Sequence, residues 1–168
     1  SAIEDRALAR DAVRQSLVLL KNDGGVLPLS RASRVLVVGG GADSFSHQAG
    51  GWSRTWQGTE NVNEDFATGQ TLLAAIRETL GDAQVTYSET GQGVDVARFD
   101  AVIAVLAEDP YAEMRGDIRW PARLTHSERY QADAAVLAAV SGRGRPVISV
   151  LYSGRTTHAT DLINRSDA

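Results

Sequence analysis

The sequence predicts an α/β domain in which a mostly parallel β-sheet lies between layers of helices. Three observations support this fold class: short apolar runs rich in β-branched residues, segments of helical period between them, and breaks rich in glycine or proline. Strands that alternate with helices imply a parallel sheet covered on both faces. We therefore expect a three-layer domain of the flavodoxin-like kind.

The first elements are an amphipathic helix and a buried strand. Over residues 3–21 the apolar residues recur near the helical period with charged residues between them, and residues 22–25 (Asn-Asp-Gly-Gly) end the helix. Residues 27–29 predict an extended apolar anchor, and residues 34–38 the first strand. The later elements are a helix over 71–80, strands over 84–87 and 101–107, a helix from an N-cap at Thr125 to about Gly142, and a strand over 146–151.

The sequence predicts one domain, residues 1–168, with residues 1–24 as the N-terminal helix and its end. No cap or closing element is evident over residues 160–168. We therefore expect a fragment whose last strand and helix lie beyond Ala168. Residues 1–10 lack the basic and apolar regions of a signal peptide.

Composition excludes several function classes. The net charge of −4, with scattered Lys and Arg, offers no basic face and argues against a nucleic-acid partner. No apolar run approaches the length of a membrane span, so we expect no membrane partner. The absence of cysteine removes disulfides and thiolate zinc sites from consideration.

The segment of residues 108–117, directly after the longest predicted strand, contains four carboxylates: Glu108, Asp109, Glu113 and Asp117. Loops beyond the carboxyl ends of parallel strands converge on one edge, where ligands bind. One of these acids can donate a proton if an apolar wall keeps it dry, and Tyr111, Met114 and Trp120 are the candidates for that wall. The alternative is a solvated acidic turn paired with Arg115 and Arg119.

A second polar segment, residues 50–58, carries Trp52 and Trp56 between glycines. Indole faces suit the CH faces of sugar rings, and Gln57 and Arg54 can hydrogen-bond sugar hydroxyls. The alternative is a satellite apolar cluster under the loop. Both interpretations stay open for Trp56, whereas packing is favoured for Trp52.

Other motifs predict little chemistry. The glycines of residues 39–44 would form a dinucleotide fingerprint only with glycine in place of Ser44, so nucleotide binding is disfavoured and no cofactor is predicted. His47, His126 and His158 lack metal-ligand spacing, and we expect no metal site. The Gly-x-Ser-x-Gly motif of serine hydrolases is absent.

Taken together, three sets of motifs resemble the second domain of glycoside hydrolase family 3, in its β-glucosidase and exo-β-glucanase branch. They are residues 16–22 leading to 27–29, Gly-Gly-Trp and Trp-Gln-Gly within 50–58, and Glu-Asp-Pro-Tyr-Ala-Glu over 108–113 followed by Gly116 and Asp117. The resemblance covers nearly the whole chain in the right order.

The resemblance implies a retaining glycosidase in which an N-terminal (β/α)8 barrel, absent from this chain, supplies an Asp nucleophile, and this domain supplies the acid/base Glu. That role falls on Glu113, with Glu108 as the alternative. Trp56 matches the indole that clamps the sugar at the aglycone side. Arg115 and Asp117 are candidates for orienting the substrate.

The implied activity is release of glucose from the non-reducing ends of β-glucans or cello-oligosaccharides. We expect the isolated chain to be inactive, because it lacks the nucleophile, and to self-associate if its barrel-facing surface is exposed. The resemblance also implies a periplasmic or secreted location. Alternative functions are a non-catalytic carbohydrate-binding or interdomain module, and a nucleotide-binding regulator.

Overall fold

The computed structural model describes residues 6–168, in which helices cover both faces of a parallel β-sheet. The strands are β1 Val35–Val38, β2 Val85–Ser88, β3 Ala101–Ala107 and β4 Val147–Tyr152. The helices are α1 Arg6–Ser16, α2 Phe45–Ala49, α3 Leu72–Leu80, α4 His126–Arg129, α5 Gln131–Val140 and α6 Thr160–Asn164. Each predicted strand is present to within two residues, and the three-layer α/β fold class is confirmed.

The four strands lie in the order β2-β1-β3-β4, and all neighbours are parallel. Val35 of β1 is in register with Val85 on one side and with Ala101 on the other. The chain moves outward from β1 to β2 and then crosses to β3 on the opposite side. The carboxyl ends of β1 and β3 therefore form a topological switch point, where open α/β sheets form ligand crevices.

Alternate side chains of the central strands enter two separate cores. Leu36, Val38 and the even-numbered residues of β3 pack with α5 and α6, whereas Val35, Val37, Ile103 and Val105 pack with α3. Both faces of β1 and β3 are thus buried, which explains why these strands are continuous apolar runs in the sequence. β3 ends at Ala107, and the 108–117 segment follows it directly.

The glycine run after β1 serves close packing against β3. Gly39 has a φ of 98°, and a Cβ there would lie 2.1 Å from the carbonyl oxygen of Val105. A Cβ at Gly41 would lie 3.2 Å from the Cβ of Ala107. Only glycine allows the chain to leave β1 beside β3 in this way.

The N-terminal region differs from the prediction of a helix over residues 3–21. Residues 1–5 lie outside the described part of the chain, α1 ends at Ser16, and none of its residues is buried. Residues 17–20 are not helical and remain exposed although all four are apolar. The periodic pattern predicted the helix correctly but neither its length nor its exposure.

Two further differences concern the second half of the chain. The predicted single helix from Thr125 to Gly142 is interrupted at Tyr130, whose φ of −121° and ψ of 73° are not helical, so α4 and α5 are separate. The expectation of no closing element over residues 160–168 was wrong within those residues. They form α6, and Asp167 and Ala168 hydrogen-bond to Val147 and Ser149 along β4.

Residues 21–23 hydrogen-bond to α6 and to the residues that follow it. Lys21 Nζ donates to the carbonyls of Ile163 and Ser166, at 3.3 and 2.6 Å. The Asp23 N–H donates to the carbonyl of Asp167 at 2.8 Å. A cation at a helix C-terminus satisfies carbonyls that have no intrahelical partner. Between residues 6 and 168, no helix is both long and apolar enough to cross a membrane.

Candidate functional site

The loops that follow β1, β3 and β4 enclose a cleft of about 550 Å³ at the switch point. Its walls are residues 47–51 from the first loop, 108–111 from the second and 151–154 from the end of β4. The cleft lies where the strand order predicts a ligand crevice. The segment of residues 108–117, which holds the four predicted carboxylates, runs from this cleft to the surface.

Glu108, at the start of that segment, is buried and bound by two arginines. Only 4% of the residue is exposed. Arg129 Nη1 donates to Oε1 at 2.9 Å, and Arg155 Nε lies 3.8 Å from Oε2. The Glu108 N–H continues the sheet ladder by donating to the carbonyl of Tyr152. These contacts make Glu108 the fixed start of the segment.

Tyr111 connects this charged cluster to the rest of the segment. Arg155 Nε donates to the Tyr111 hydroxyl at 2.7 Å, and the guanidinium carbon lies 4.0 Å from the ring centroid. Burial raises the pKa of Tyr111, the Arg155 hydrogen bond opposes that rise, and the Glu108 charge adds to it. The phenol therefore stays neutral near pH 7.

The end of β3 is also contacted by Asp133, a carboxylate that pairs with the buried His126. Asp133 Oδ2 accepts the Ala107 N–H at 3.0 Å and lies 2.7 Å from Nε2 of the fully buried His126. His126 and Arg129 are both in α4, so this short helix contacts the end of β3 through the Asp133 carboxylate and Glu108 through the guanidinium. The carboxylate partner of His126 was not predicted from the sequence.

Glu113 lies in a tight exposed turn. The Gly116 N–H donates to the carbonyl of Ala112 at 3.0 Å, and the Asp117 N–H donates to that of Met114 at 3.0 Å. Met114 has a φ of 59°, in the left-handed region that non-glycine residues rarely adopt. The Glu113 side chain is exposed and has no ion-pair partner within residues 6–168.

The predicted apolar wall is not formed in this part of the chain. Met114 is exposed, and Trp120 is 94% exposed. Tyr111 is half-buried, but it packs toward Arg155. A dry environment for Glu113 would need groups other than these three side chains.

The Trp-containing loop, residues 50–61, packs beside the Glu113 turn with its indoles exposed. Trp52 is 67% exposed and Trp56 43% exposed, and their ring centroids are 6.0 Å apart. The expectation that Trp52 packs under the loop was wrong. The interior of this loop is polar: Thr55 Oγ1 donates to Asn61 Oδ1 at 2.9 Å, and Asn61 Nδ2 donates to Ser53 Oγ at 3.1 Å.

Gln57, expected to bind sugar hydroxyls, is instead committed to the protein backbone. It is 6% exposed, its Oε1 accepts the Ala112 N–H at 2.9 Å, and its Nε2 donates to the Glu113 carbonyl at 3.2 Å. Arg54, the other candidate, lies 3.5 Å from Asp65. The role of Gln57 could not be inferred from its sequence neighbours, because both partners are more than 50 residues away in the chain.

The remaining predicted site residues lie at the surface near Glu113. Arg115 Nη1 donates to Thr59 Oγ1 at 3.3 Å, which ties the turn to the Trp-containing loop. The Asp117 side chain is exposed at the end of the turn. The structure therefore brings Trp56, Glu113 and Arg115 to neighbouring loops and separates Glu108 from them by burial.

His47 and Asp109 face each other across the cleft, with 3.5 Å between Nε2 and Oδ1. Groups of three or more His, Cys, Asp or Glu side chains that could hold a metal ion are not found among the described residues. Gly39 and Gly41 pack closely against β3, and that packing explains why these two positions are glycines.

Comparisons with known proteins show strong similarity to glycosidases. Residues 17–168 match the family described as the glycosyl hydrolase family 3 C-terminal domain. The chain is 30% identical to the lysosomal beta glucosidase of Dictyostelium discoideum over 91% of its length, and 26% identical to the periplasmic beta-glucosidase of Salmonella typhimurium over 97%. It covers only 20% and 24% of those two proteins.

A solved structure has the same fold over almost the whole chain. The exo-1,3/1,4-beta-glucanase of a Pseudoalteromonas species superposes with a TM-score of 0.89 at 40% identity, over 99% of this chain and 20% of that one. The beta-glucosidase of Listeria innocua superposes with a TM-score of 0.74 at 24% identity, over 98% of this chain and 22% of that one, which concerns the fold alone. The chain thus spans about a fifth of the proteins that it resembles.

Proposed function

The chain belongs to the glycosyl hydrolase family 3 C-terminal domains, and on this premise we propose that it supplies the acid/base carboxylate of a retaining β-glucosidase or exo-β-glucanase. In this proposal Glu113 is the acid/base residue. The substrate is a β-linked glucan or gluco-oligosaccharide that loses glucose from its non-reducing end. The nucleophilic Asp comes from an accompanying (β/α)8 barrel domain, and the parent enzyme works in the periplasm or outside the cell.

The contrast between Glu113 and Glu108 is the observation that supports this assignment. An acid/base residue must protonate the glycosidic oxygen and later take a proton from water, so its carboxyl must reach the substrate and must not be bound to a cation. Glu108 is buried against Arg129 and Arg155. Glu113 is exposed on a turn beside the Trp-containing loop.

The neighbouring groups suit a sugar at the leaving-group side. An exposed indole offers an apolar face to the CH face of a pyranose, and Trp56 is on the loop that packs against the Glu113 turn. Arg115 and Asp117 can donate to and accept from sugar hydroxyls. The exposed Glu113 lacks a dry environment among the described residues, so we propose that the barrel surface supplies it.

The chemistry follows the two-step retaining route. Glu113 protonates the leaving oxygen while the barrel carboxylate attacks the anomeric carbon, and the C–O bond to the aglycone breaks. The glucosyl group is then bound to the barrel Asp. Glu113, now ionised, removes a proton from water, which displaces that Asp and releases glucose with retained configuration.

The test is Glu113→Ala in the full-length enzyme, with Glu78→Ala as the control, because Glu78 is an exposed glutamate on α3, outside the cleft and both loops. We expect kcat/KM for a poor leaving group to fall by about 10²- to 10⁴-fold. Activated dinitrophenyl β-glucoside should lose less, and azide should restore its turnover. The control variant should retain activity, and the isolated chain should hydrolyse neither substrate.

Two results would contradict the proposal. Full activity of Glu113→Ala would remove Glu113 from the chemistry, and azide rescue of a Glu108→Ala variant instead would move the acid/base role there. If Trp56→Ala weakened oligosaccharide binding while both glutamate variants stayed active, the non-catalytic carbohydrate-binding function would be supported.

A further inference from the structure

The side chain of Gln57 connects the two loops that carry Trp56 and Glu113. Its amide is almost fully buried between them. Oε1 accepts the N–H of Ala112 at 2.9 Å, and Nε2 donates to the carbonyl of Glu113 at 3.2 Å. These two backbone groups lie on either side of the Glu113 N–Cα bond, so the amide restrains the backbone from which the Glu113 side chain projects.

The Trp-containing loop and the 108–117 segment are in close backbone contact around this amide. A Cβ at Gly51 would lie 2.0 Å from the carbonyl oxygen of Tyr111, and a Cβ at Gly58 would lie 2.9 Å from the Cβ of Pro110. The glycines of the Trp-containing loop thus permit backbone contact with residues 110–111. Gln57 adds directional hydrogen bonds to this close packing.

The Glu113 turn needs such support because its own backbone is strained. Met114, directly after Glu113, has a φ of 59° without being glycine. Backbone strain of this kind persists where surrounding contacts determine the conformation. The Gln57 amide contacts the peptide groups just before that strained residue.

The position of Gln57 is also coupled to that of the Trp56 side chain. Gln57 follows Trp56 directly, and the Trp56 carbonyl accepts the Trp52 N–H at 3.0 Å, which closes the short turn that carries both indoles. A displacement of Gln57 would therefore move Trp56 and Glu113 relative to each other. One loop follows β1 and the other follows β3, so the local chain cannot maintain this distance.

We propose that Gln57 is a positioning residue that sets the Glu113 carboxylate relative to the sugar bound at Trp56. It does not touch the substrate, since its amide is buried and both polar atoms are satisfied by backbone. It acts through the backbone of residues 112–113. This inference rests on the proposed acid/base role of Glu113.

The first measurement compares Gln57→Ala with Asn22→Ala in the full-length enzyme. Asn22 is a matched control outside the cleft, because its side-chain amide also accepts a backbone N–H and donates to a backbone carbonyl, both of Leu27, at 2.9 and 3.1 Å. For Gln57→Ala we expect kcat/KM on a poor leaving group to fall by about tenfold to hundredfold, through kcat more than KM, with a smaller loss on dinitrophenyl β-glucoside. Asn22→Ala should retain both activities.

The second measurement separates positioning from a general structural role. In a Glu113→Ala background, azide replaces the missing carboxylate, so adding Gln57→Ala should leave the azide-rescued rate within about twofold. Gln57→Glu, which keeps the shape and the Oε1 acceptor but lacks the Nε2 donor, provides a variant with minimal packing change. It should also lower the activity on poor leaving groups.

The outcomes distinguish this inference from the proposed function. If Glu113→Ala is not rescued by azide, the acid/base assignment itself fails. If rescue occurs but Gln57→Ala lowers the rescued rate as much as the native rate, or if both leaving groups lose equally through KM alone, Gln57 is structural and the positioning role is overturned. Unchanged activity of Gln57→Ala and Gln57→Glu would overturn it as well.

Discussion

The two ends of the 108–117 segment are held in opposite ways. At the Glu108 end, a buried carboxylate meets two arginines, and its backbone extends the sheet ladder to β4. At the Glu113 end, the carboxylate is exposed, and backbone contacts to Gln57 and within the turn restrain the chain that carries it. The segment therefore has a fixed base and an accessible carboxyl group.

This difference shows how chemically identical side chains five residues apart can lie in opposite environments. A buried ion pair limits what its carboxylate can do, because release of the partner would leave an unpaired charge in a poorly solvated place. An exposed carboxylate on a restrained backbone remains available to a substrate. Substitutions at and near the two ends of the segment test this contrast.

Removing an arginine should lower stability much more at the buried Glu108 end of the segment than at the exposed end. Arg129→Ala should lower the free energy of unfolding by about 3 kcal/mol, because it leaves the buried Glu108 carboxylate without its hydrogen-bond donor. Arg115→Ala, at the exposed end, should change it by no more than about 0.5 kcal/mol. Urea unfolding of the chain measures both, and equal losses would contradict the contrast.

A smaller effect is expected at alkaline pH from Tyr152, whose carbonyl accepts the Glu108 N–H. Burial raises the pKa of Tyr152 from 10.0 to about 12. Below pH 10 both folded and unfolded chains keep the phenol proton. Between pH 10 and about 12 only the unfolded chain loses it, so the free energy of unfolding should fall, by at most about 2 kcal/mol given partial exposure.

The control for this pH effect is Tyr152→Phe, which keeps the backbone carbonyl and removes the titrating hydroxyl. Thermal unfolding scans between about pH 9 and 12 should show a shallower loss of stability for the variant than for the native chain. Parallel curves would show that Tyr152 ionises with equal ease in the folded and unfolded chains.

The smallest change in the free energy of unfolding is expected from substitution of Trp52. Although it is a large aromatic residue, it is 67% exposed, so Trp52→Ala should change the free energy of unfolding by no more than about 0.5 kcal/mol. Leu106→Ala provides the comparison: truncation of this fully buried β3 side chain should cost about 2–5 kcal/mol. A large loss from Trp52→Ala would show that the indole packs in solution.

The sheet could be predicted from the sequence because its signals are local. The central strands β1 and β3 are short apolar runs, and their burial on both faces follows from alternation with helices. The periodicity of residues 3–21 indicated a helix but could not show that α1 would end at Ser16 with all of its described residues exposed. The five-residue helix α6 is too short to show a period.

The arrangement of the site could not be predicted in the same way. The burial of Glu108 depends on Arg129 and Arg155, which come from α4 and from the loop after β4. The role of Gln57 depends on backbone atoms at residues 112 and 113. Residue type and resemblance narrowed the carboxylates to two, but only contacts between loops distinguish the anchored one from the accessible one.

The two hydrogen bonds of Gln57 affect how either loop could be exchanged with that of a related domain. Because one amide joins residues 112–113 to the Trp-containing loop, a graft that exchanges either loop alone would place foreign backbone against an unchanged partner. A loop exchange between related domains should therefore transfer residues 50–61 and 108–117 as one cassette, together with the glycines at 51 and 58 that let the two backbones touch.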